Sequence, residues 1–567
     1  MTNLGNKVLV LGSDSRSFLA VIRSLGRTGK NVHIAWHSRS SIAVHSKYVS
    51  QAHQLSRPPS ETWANEFEDL LEREAYDLVI PCNDPSILPL HENRDRFAQY
   101  PVYLTDAKFF DTIMDKAAVN RVAAKCSLNL PRELAINSET EIALLDELQG
   151  PYVLKPTQSY TLTNLAKKNH VELEHDLETA KQKISRLLDS TPVTVQEYFS
   201  GCGVGVEFIA SNGRILFAFQ HRRLHEPPGG GGSSYRRSCA LDPQLYQATE
   251  KLVDSLNYTG VGMMEYLYNL NTKEWIFVEF NSRFWGSLPL AIRCGADFPS
   301  FLYDLICKQR DDFPSSYLEN RVARNWFLDL KWLRQTVATN GLNAGKQLLT
   351  ALKLFCEMRY PLTLRESSDT LCFDDPSPGI NEIRDFVSGI PVAISSKFFK
   401  FNLKRKSYLT RQSKRLRECI RTAKNVLFVC KGNICRSPFA HHYLLSTTGK
   451  FKVDSCGYFP RANRKSPTNA VTSAKQYGIE LASHRSKVIN NELVESADLI
   501  VVFDVENYLT VRREHPKSKK KVFLLGLSTA HSNQVVINDP FGGATSDFDD
   551  TYQAITHSLD SLVEFRG

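Results

Sequence analysis

No stretch of about 18 consecutive apolar residues occurs in this 567-residue chain, so a membrane-crossing helix is not expected. Its first residues lack the charged, apolar, small-residue succession of a secretory leader, so none is expected there. The twelve cysteines are scattered without paired C-x-x-C spacing, which argues against a zinc ribbon and against a disulfide framework. Internal repeats are absent, and the only low-complexity segment is the glycine run at 229–232. The first strand-to-helix turn, Gly12-Ser13-Asp14-Ser15-Arg16, is not G-x-G-x-x-G, which disfavours a dinucleotide site. At a strand's carboxyl end such a turn can still line a substrate crevice. A 567-residue chain is too long for one core, and 42% apolar with 10% aromatic residues speaks for folded domains rather than disorder.

Charge is the first thing present in excess. The formal balance is +9, but between residues 397 and 424 eleven Lys or Arg stand against Glu418 alone, so the rest is near neutral. That stretch mixes its charges with Phe398, Phe399, Phe401, Leu403, Tyr408, Leu409, Leu416 and Ile420. Contact with nucleic acid or an anionic membrane is one reading; a solvated interdomain helix and linker is the favoured one.

The most informative segment follows it. Val426-Leu427-Phe428-Val429 reads as a buried strand ending on Cys430, and a helix is expected from Ser437 through Phe439, Ala440, Tyr443 and Leu444. Strand, tight loop and helix start form a nest of backbone N–H groups that binds a tetrahedral anion and favours thiolate at Cys430. The planar fork of Arg436 can grip two phosphate oxygens. Gly432 and Asn433 suit left-handed backbone, and the Ser437 hydroxyl can bond the thiolate.

The pattern V-C-x-G-N-x-C-R-S-P resembles the low-molecular-weight protein tyrosine phosphatases, a family that includes thiol-dependent arsenate reductases. The likeness runs from about residue 424 to the end. It takes in Asp454-Ser455-Cys456-Gly457, the segment 478–486, Ala497-Asp498-Leu499-Ile500-Val501-Val502-Phe503-Asp504, and Asn538-Asp539-Pro540. The resemblance implies two-step hydrolysis of a phosphate monoester or phosphotyrosine. Cys430 would be the nucleophile, Asp539 the general acid and then base, and Arg436 the transition-state clamp. Lys431, Gly432, Asn433, Ile434, Cys435 and Ser437 would hold phosphate. Cys435 would either form a reversible disulfide with Cys430 or merely pack. Animal members carry tandem tyrosines after Asp-Pro; this chain has Phe541-Gly542-Gly543, nearer the bacterial pattern. A thiolate nucleophile makes a reducing, cytoplasmic location the expectation.

Strands at 7–13, 32–36, 77–82 and 102–105 alternate with helical spacing near the N-terminus and predict an open parallel sheet. Further on, Lys116 opens a helix after Asp115, and Lys155 stands in the apolar strand Tyr152-Val153-Leu154-Lys155-Pro156. Val193 to Glu197 is a strand leading into a hinge-like turn, and residues 229–234 form a glycine loop beside Arg236 and Arg237. Two apolar strands carry Glu265 and the series Glu279-x-Asn281-x-Arg283. Alternate residues of a strand share a face, so carboxylate, amide and guanidinium converge. Carboxylates suit Mg²⁺, and separated lysines suit nucleotide phosphates.

In this order the motifs resemble the ATP-grasp superfamily, particularly carboxylate–amine ligase-like members, from about residue 8 to 301. The resemblance implies ATP with Mg²⁺ (or Mn²⁺) as cofactors, and small-molecule carboxylate and amine substrates. Lys116 and Lys155 would bind ATP phosphates, with Gln196, Glu197, Tyr198 and Phe199 as the hinge. Glu265, Glu279 and Asn281 would ligate the metal, Arg283 would contact an anion catalytically, and residues 229–234 would be the flap. Residues 302–395 suggest two or three apolar-faced helices around Trp326, Phe327, Leu330, Trp332 and Leu333, then Leu348, Leu349, Leu352 and Phe355; residues 374–379 suggest a turn.

The expected fold is multidomain α/β. A Rossmann-like pre-ATP-grasp sheet (1–110) precedes ATP-grasp α+β domains (111–310), a helical extension (311–396) and a basic linker (397–423). A parallel-sheet α/β phosphatase domain (424–567) ends the chain. The expected function is a bifunctional ligase and phosphatase. The alternatives are a phosphatase regulated by a non-catalytic ATP sensor, and an interaction protein held through the basic segment.

Overall fold

The computed structural model describes residues 6–12, 16–38, 40–57, 60, 62–156, 172–188, 192–226, 232–339, 345, 352, 357, 365–403, 405–529 and 535–566. They divide into two compact units, Met1–Ile383 and Arg384–Gly567. Among these residues no helix is long and apolar enough to cross a membrane.

The first unit holds three sheets. In the parallel sheet, strand β1 (Lys7–Leu11) lies between β2 (Asn31–Ala35) and β4 (Leu78–Pro81), with β3 (Val49–Ala52) outside β2. Val8 through Leu11 are all buried, as a central strand covered on both faces requires. The strand expected at 102–105 is only an isolated bridge, Val79 to Val102, and the outer strand is Val49–Ala52. Its sequence Val-Ser-Gln-Ala is largely exposed, so it carries no apolar pattern to read.

A second sheet, antiparallel, runs β5 (Glu133–Ile136), β8 (Val193–Glu197), β6 (Tyr152–Pro156), β7 (Glu172–Glu174). The third orders seven strands as β13 (Trp275–Asn281), β12 (Gly260–Tyr268), β9 (Cys202–Ser211), β10 (Arg214–His225), β11 (Tyr235–Cys239), β14 (Val322–Arg324) and β15 (Glu366–Ser368). All its pairings are antiparallel except β14 with β15.

The last two strands correct the expectation of a purely helical 311–396. Helix Trp326–Thr339 forms as its apolar spacing predicts, but Val322–Arg324 and Glu366–Ser368 extend the large sheet. Three-residue strands are too short to show a period. Burial and ion pairing hold them: Val322 and Ala323 are fully buried, and Arg324 bonds Glu366 at 2.9 Å and lies 3.7 Å from the Tyr235 ring centre. Leu348, Leu349 and Phe355 lie outside the described residues. The turn expected at 374–379 ends earlier, because Ser377 already opens helix Ser377–Leu403. Its two aspartates are spoken for: Asp374 pairs with Arg27 at 2.8 Å and Asp375 with Arg23 at 2.9 Å.

In the second unit four parallel strands run β17 (Lys452–Gly457), β16 (Asn425–Cys430), β18 (Leu499–Val502), β19 (Val522–Leu524). The stretch read as a linker contains helix Lys406–Thr422, whose Leu416 and Ile420 are buried in this unit's core. The opposite face carries Lys406, Lys414, Arg417 and Arg421 outward, so its charge is the solvent side of a docked amphipathic helix.

Candidate active sites

Strand β16 delivers Cys430 at its carboxyl end, and helix Arg436–Thr447 starts six residues later. The thiol is buried. Asn433 donates its backbone N–H to Sγ at 3.2 Å, and the Ser437 hydroxyl stands 3.0 Å from Sγ. Asn433 has φ 52°, the left-handed conformation its residue type tolerates. Its side-chain amide donates to Ser437 Oγ at 2.9 Å and Ser455 Oγ at 3.0 Å, and its amide oxygen accepts from the Lys487 N–H at 2.8 Å. Its carbonyl meets His484 Nε2 at 2.8 Å. Loop shape is thus held both within the loop, through Ser437, and from outside it, through Ser455 of β17 and the segment carrying His484 and Lys487.

Arg436, 1% exposed, spreads its guanidinium between two carboxylates: Asp504 at 2.6 Å and Asp539 at 2.7 Å. It also donates to the Ile537 carbonyl at 3.1 Å. Asp539 remains 37% exposed, which leaves it open to solvent and ligand. Lys431 reaches away to Glu506 at 3.3 Å, while Ile434, Cys435 and Ser437 are buried. Burial pushes the thiols of Cys435 and Cys456 well above the ordinary range, and the neighbouring Cys430 adds to both shifts. All three cysteines are free thiols.

Ser455, His484 and Asp504 stand inside the motifs quoted above with no role assigned there, whereas Arg464, which donates to the Gly432 carbonyl, and His441 and His442 lie outside those motifs. Asp504 had a signal, since it caps helix Val505–Glu514 by accepting the Asn507 N–H at 2.7 Å. Gly457 had one too. A Cβ there would come within 2.7 Å of the Lys431 carbonyl oxygen and 2.8 Å of the Asn433 nitrogen. Gly457→Ala should therefore push the loop and lower aryl phosphatase kcat/KM about tenfold or more. Steady-state kinetics on the folded variant check this; unchanged kcat/KM would contradict it.

Three histidines crowd the loop's far side. His441 stacks on His442 at 4.9 Å between ring centres and lies 3.3 Å from Ser455 Oγ. Burial, then His442, push His441 down to about 4 from the usual 6.5. The fold favours the neutral ring, so the unfolded chain binds more protons between those values. Stability is therefore complete above about pH 6.5 and falls as pH drops toward 4. His441→Gln should lessen that loss, read from urea unfolding of this unit's transition at pH 7 and pH 5.

In the first unit, Lys116 begins helix Lys116–Lys125, capped by Asp115, which accepts the N–H groups of Ala117 and Ala118 at 2.9 and 3.1 Å. Lys155 is pushed down to about 8 by burial first and by Lys116 second, while Glu133 and Glu279 oppose the shift. Lys116, Lys155 and Glu279 thus share one electrostatic environment. Gln196 bonds that same Glu133. Glu197 accepts from the Gln149 N–H at 2.9 Å and faces Arg132 at 3.4 Å. The Tyr198 N–H donates to the Pro151 carbonyl at 2.8 Å while its ring is exposed, and Phe199 is half-buried.

Glu265 and Glu279 stand directly opposite in the β12–β13 register, and the Asn281 amide donates to Glu279 at 2.9 Å. Burial pushes Glu265 up, Arg223 at 2.6 Å opposes the shift, and Glu279 adds to it. Among the described residues no group of three His, Cys, Asp or Glu is poised for a metal. Two carboxylates and an amide oxygen are nonetheless hard donors suited to Mg²⁺, and the carboxyl strain at Glu265 is of the sign a cation relieves. Arg283 donates to Asp84 at 2.7 Å, a partner the sequence did not foretell. Both line a cleft of about 530 Å³ with Arg16, Asn325, Asp369 and Glu382. Residues 229–231, half of the expected flap, lie outside the described residues; Ser234 is bonded to Asp329 at 2.7 Å.

A buried thiol at the end of a parallel strand, with an N–H donor, an arginine and an open aspartate around it, defines a cysteine-dependent phosphate-handling enzyme. Residues 425–565 match the low molecular weight phosphotyrosine protein phosphatase family, and through them the chain belongs to that family. It is 33% identical over 128 residues to the low molecular weight protein-tyrosine-phosphatase Ptp of Acinetobacter johnsonii, covering 23% of this chain and 87% of that protein. It is 32% identical over 143 residues to the protein-arginine-phosphatase of Bacillus subtilis (strain 168), covering 24% and 91%. Among solved structures, the L-amino acid ligase from Bacillus licheniformis aligns over 56% of this chain and 76% of its own at 13% identity and TM-score 0.44.

Proposed function

We propose that the chain joins a cysteine-dependent phosphate-monoester phosphatase to an ATP-dependent carboxylate–amine ligase. The observation that carries the first half is the Cys430 Sγ held by the Asn433 N–H and the Ser437 hydroxyl beneath Arg436. Sγ attacks phosphorus, the ester oxygen leaves with the proton of Asp539, and a phosphocysteine forms. Water then attacks that phosphorus, giving its proton to Asp539 and freeing Cys430. Arg436 and the loop N–H groups hold the equatorial oxygens through both steps. Phe541, 63% exposed two residues beyond Asp539, offers a ring face to an aryl leaving group.

The second half rests on Glu265 and Glu279 facing each other across β12 and β13 with Asn281 bonded to Glu279 at 2.9 Å, and on Lys155 feeling the charges of Lys116 and Glu279. The two lysines would bind ATP phosphates, and Glu265, Glu279 and Asn281 would hold Mg²⁺, which when bound supplies charge screening of those phosphates. Residues 196–199 would border the adenine. A carboxylate would take the γ-phosphoryl group, and an amine would displace phosphate to leave an amide.

The test is mass spectrometry of ATP-dependent products from a metabolite library, using Cys430→Ser protein so that phosphate esters survive. An amide product with ADP supports the ligase. Tight ATP binding with no turnover on any acid and amine would replace it with the ATP-sensor reading.

A further inference from the structure

We propose that His225 is held as an imidazolium between two carboxylates, and that its charge seats helix Trp326–Thr339 on the large sheet, so that one wall of the 530 Å³ cleft loosens as pH rises. The latch concerns the cleft wall itself and stands apart from the ligase reading.

His225 ends β10 and is fully buried. Its Nδ1 lies 2.8 Å from Asp329 Oδ1 and its Nε2 lies 3.1 Å from Glu357 Oε1. A neutral imidazole donates from one nitrogen and turns a lone pair outward at the other, so only the doubly protonated ring satisfies both acceptors. The rest of the cluster asks for the same charge. Arg324 of β14 pairs with Asp329, with Glu366 of β15 at 2.9 Å and with Glu357 at 3.6 Å. One guanidinium cannot balance three acids, and Glu357 Oε2 makes no hydrogen bond among the described residues. The indole of Trp332 lies flat on the His225 ring, 3.7 Å between centres, and offers its π-face to the cation. Tyr235 approaches from β11 at 5.1 Å between ring centres, with its hydroxyl on Glu366 at 3.2 Å. Burial alone would push the ring down; the bonds to Asp329 and Glu357 outweigh it and push it up from the usual 6.5.

Asp329 carries the effect to the cleft. It sits in the first turn of helix Trp326–Thr339 and also accepts from Ser234 Oγ at 2.7 Å. Its neighbours Asn325, Phe327 and Leu328 line the cleft, and the Asn325 N–H donates to the Ser234 carbonyl at 2.8 Å. The Ser234 N–H in turn donates to the His225 carbonyl at 3.1 Å. Ring, strand ends and helix start therefore form one bonded unit. With the ring neutral, one nitrogen would face a buried carboxylate lone pair to lone pair, and Asp329 or Glu357 would have to draw away. Because the folded value is raised, the stabilisation is complete below about pH 6.5 and is lost as pH rises through the folded value.

Hydrogen–deuterium exchange of the full chain, corrected for the intrinsic pH dependence of exchange, reads the wall directly. Between about pH 6 and pH 9, protection within residues 325–333 should fall about tenfold or more, with a midpoint above 6.5. Peptides of β16, in the other compact unit, should not share the fall. His225→Gln should leave the wall poorly protected at pH 6 and flat with pH. Trp332 emission, taken as the difference between the chain and its Trp332→Phe variant, should rise over the same range, since a neutral imidazole quenches an indole less than an imidazolium does. If His225→Gln does not fold, Glu357→Gln decides: it removes one of the two flanking charges and should lower the midpoint. Protection that stays flat in the parent chain, a fall that persists in His225→Gln, Trp332 emission without the transition, or a midpoint indifferent to Glu357→Gln overturns the latch.

Discussion

Cys430→Ser should reduce hydrolysis of a small aryl phosphate about a thousandfold or more, equivalent to ~4 kcal/mol of lost transition-state stabilisation. A serine hydroxyl in the same place keeps the hydrogen bonds but stays protonated at neutral pH, so no competent nucleophile forms. Asp539→Asn should discriminate among substrates. Esters with good leaving groups need little protonation and should lose little; alkyl esters should lose about 10²- to 10⁴-fold. Stopped-flow and steady-state kinetics with two leaving groups measure both effects. Substantial residual activity in Cys430→Ser would transfer the nucleophile's role elsewhere. Neither substitution should change ATP-dependent chemistry, because the candidate residues lie in separate compact units.

Lys155→Met should abolish ATP-dependent product formation and weaken nucleotide binding, while Glu279→Gln should cost turnover more than affinity. The lysine contributes as a cation. Since burial and Lys116 push it down to about 8, nucleotide affinity should hold below that pH and decline as pH rises through it. Bound phosphate raises the value and moves the decline upward. Fluorescence titration of a nucleotide analogue between pH 6.5 and about 9.5 checks this, with Lys155→Met showing a flatter profile. Loss of aryl phosphatase activity in either folded variant would mean that the two sites are not independent.

Legibility differed between the halves for a physical reason. The phosphatase loop is contiguous, so residues 430–437 carry nearly all of the anion-binding geometry in one stretch of sequence. The large sheet assembles residues far apart in the chain, and Arg283 finding Asp84, 199 positions away, had no local trace. The strands Val322–Arg324 and Glu366–Ser368 were hidden for the same reason: what makes them strands is the buried Arg324 network, not a period in their own residues.

From sequence alone came the chemistry: the thiol, the arginine and the Asp-Pro of one half, and the lysines and E-x-N-x-R of the other. Backbone stereochemistry and strand alternation are local, so these features could be placed on elements before any fold was known. Only the tertiary structure decided which charges are compensated. It placed Asp504 and Asp539 on Arg436, set Glu265 against Glu279, and left Arg16 and Arg236 to share Asp369. Charge compensation depends on distance and burial between residues that only folding brings together, and a linear sequence carries neither.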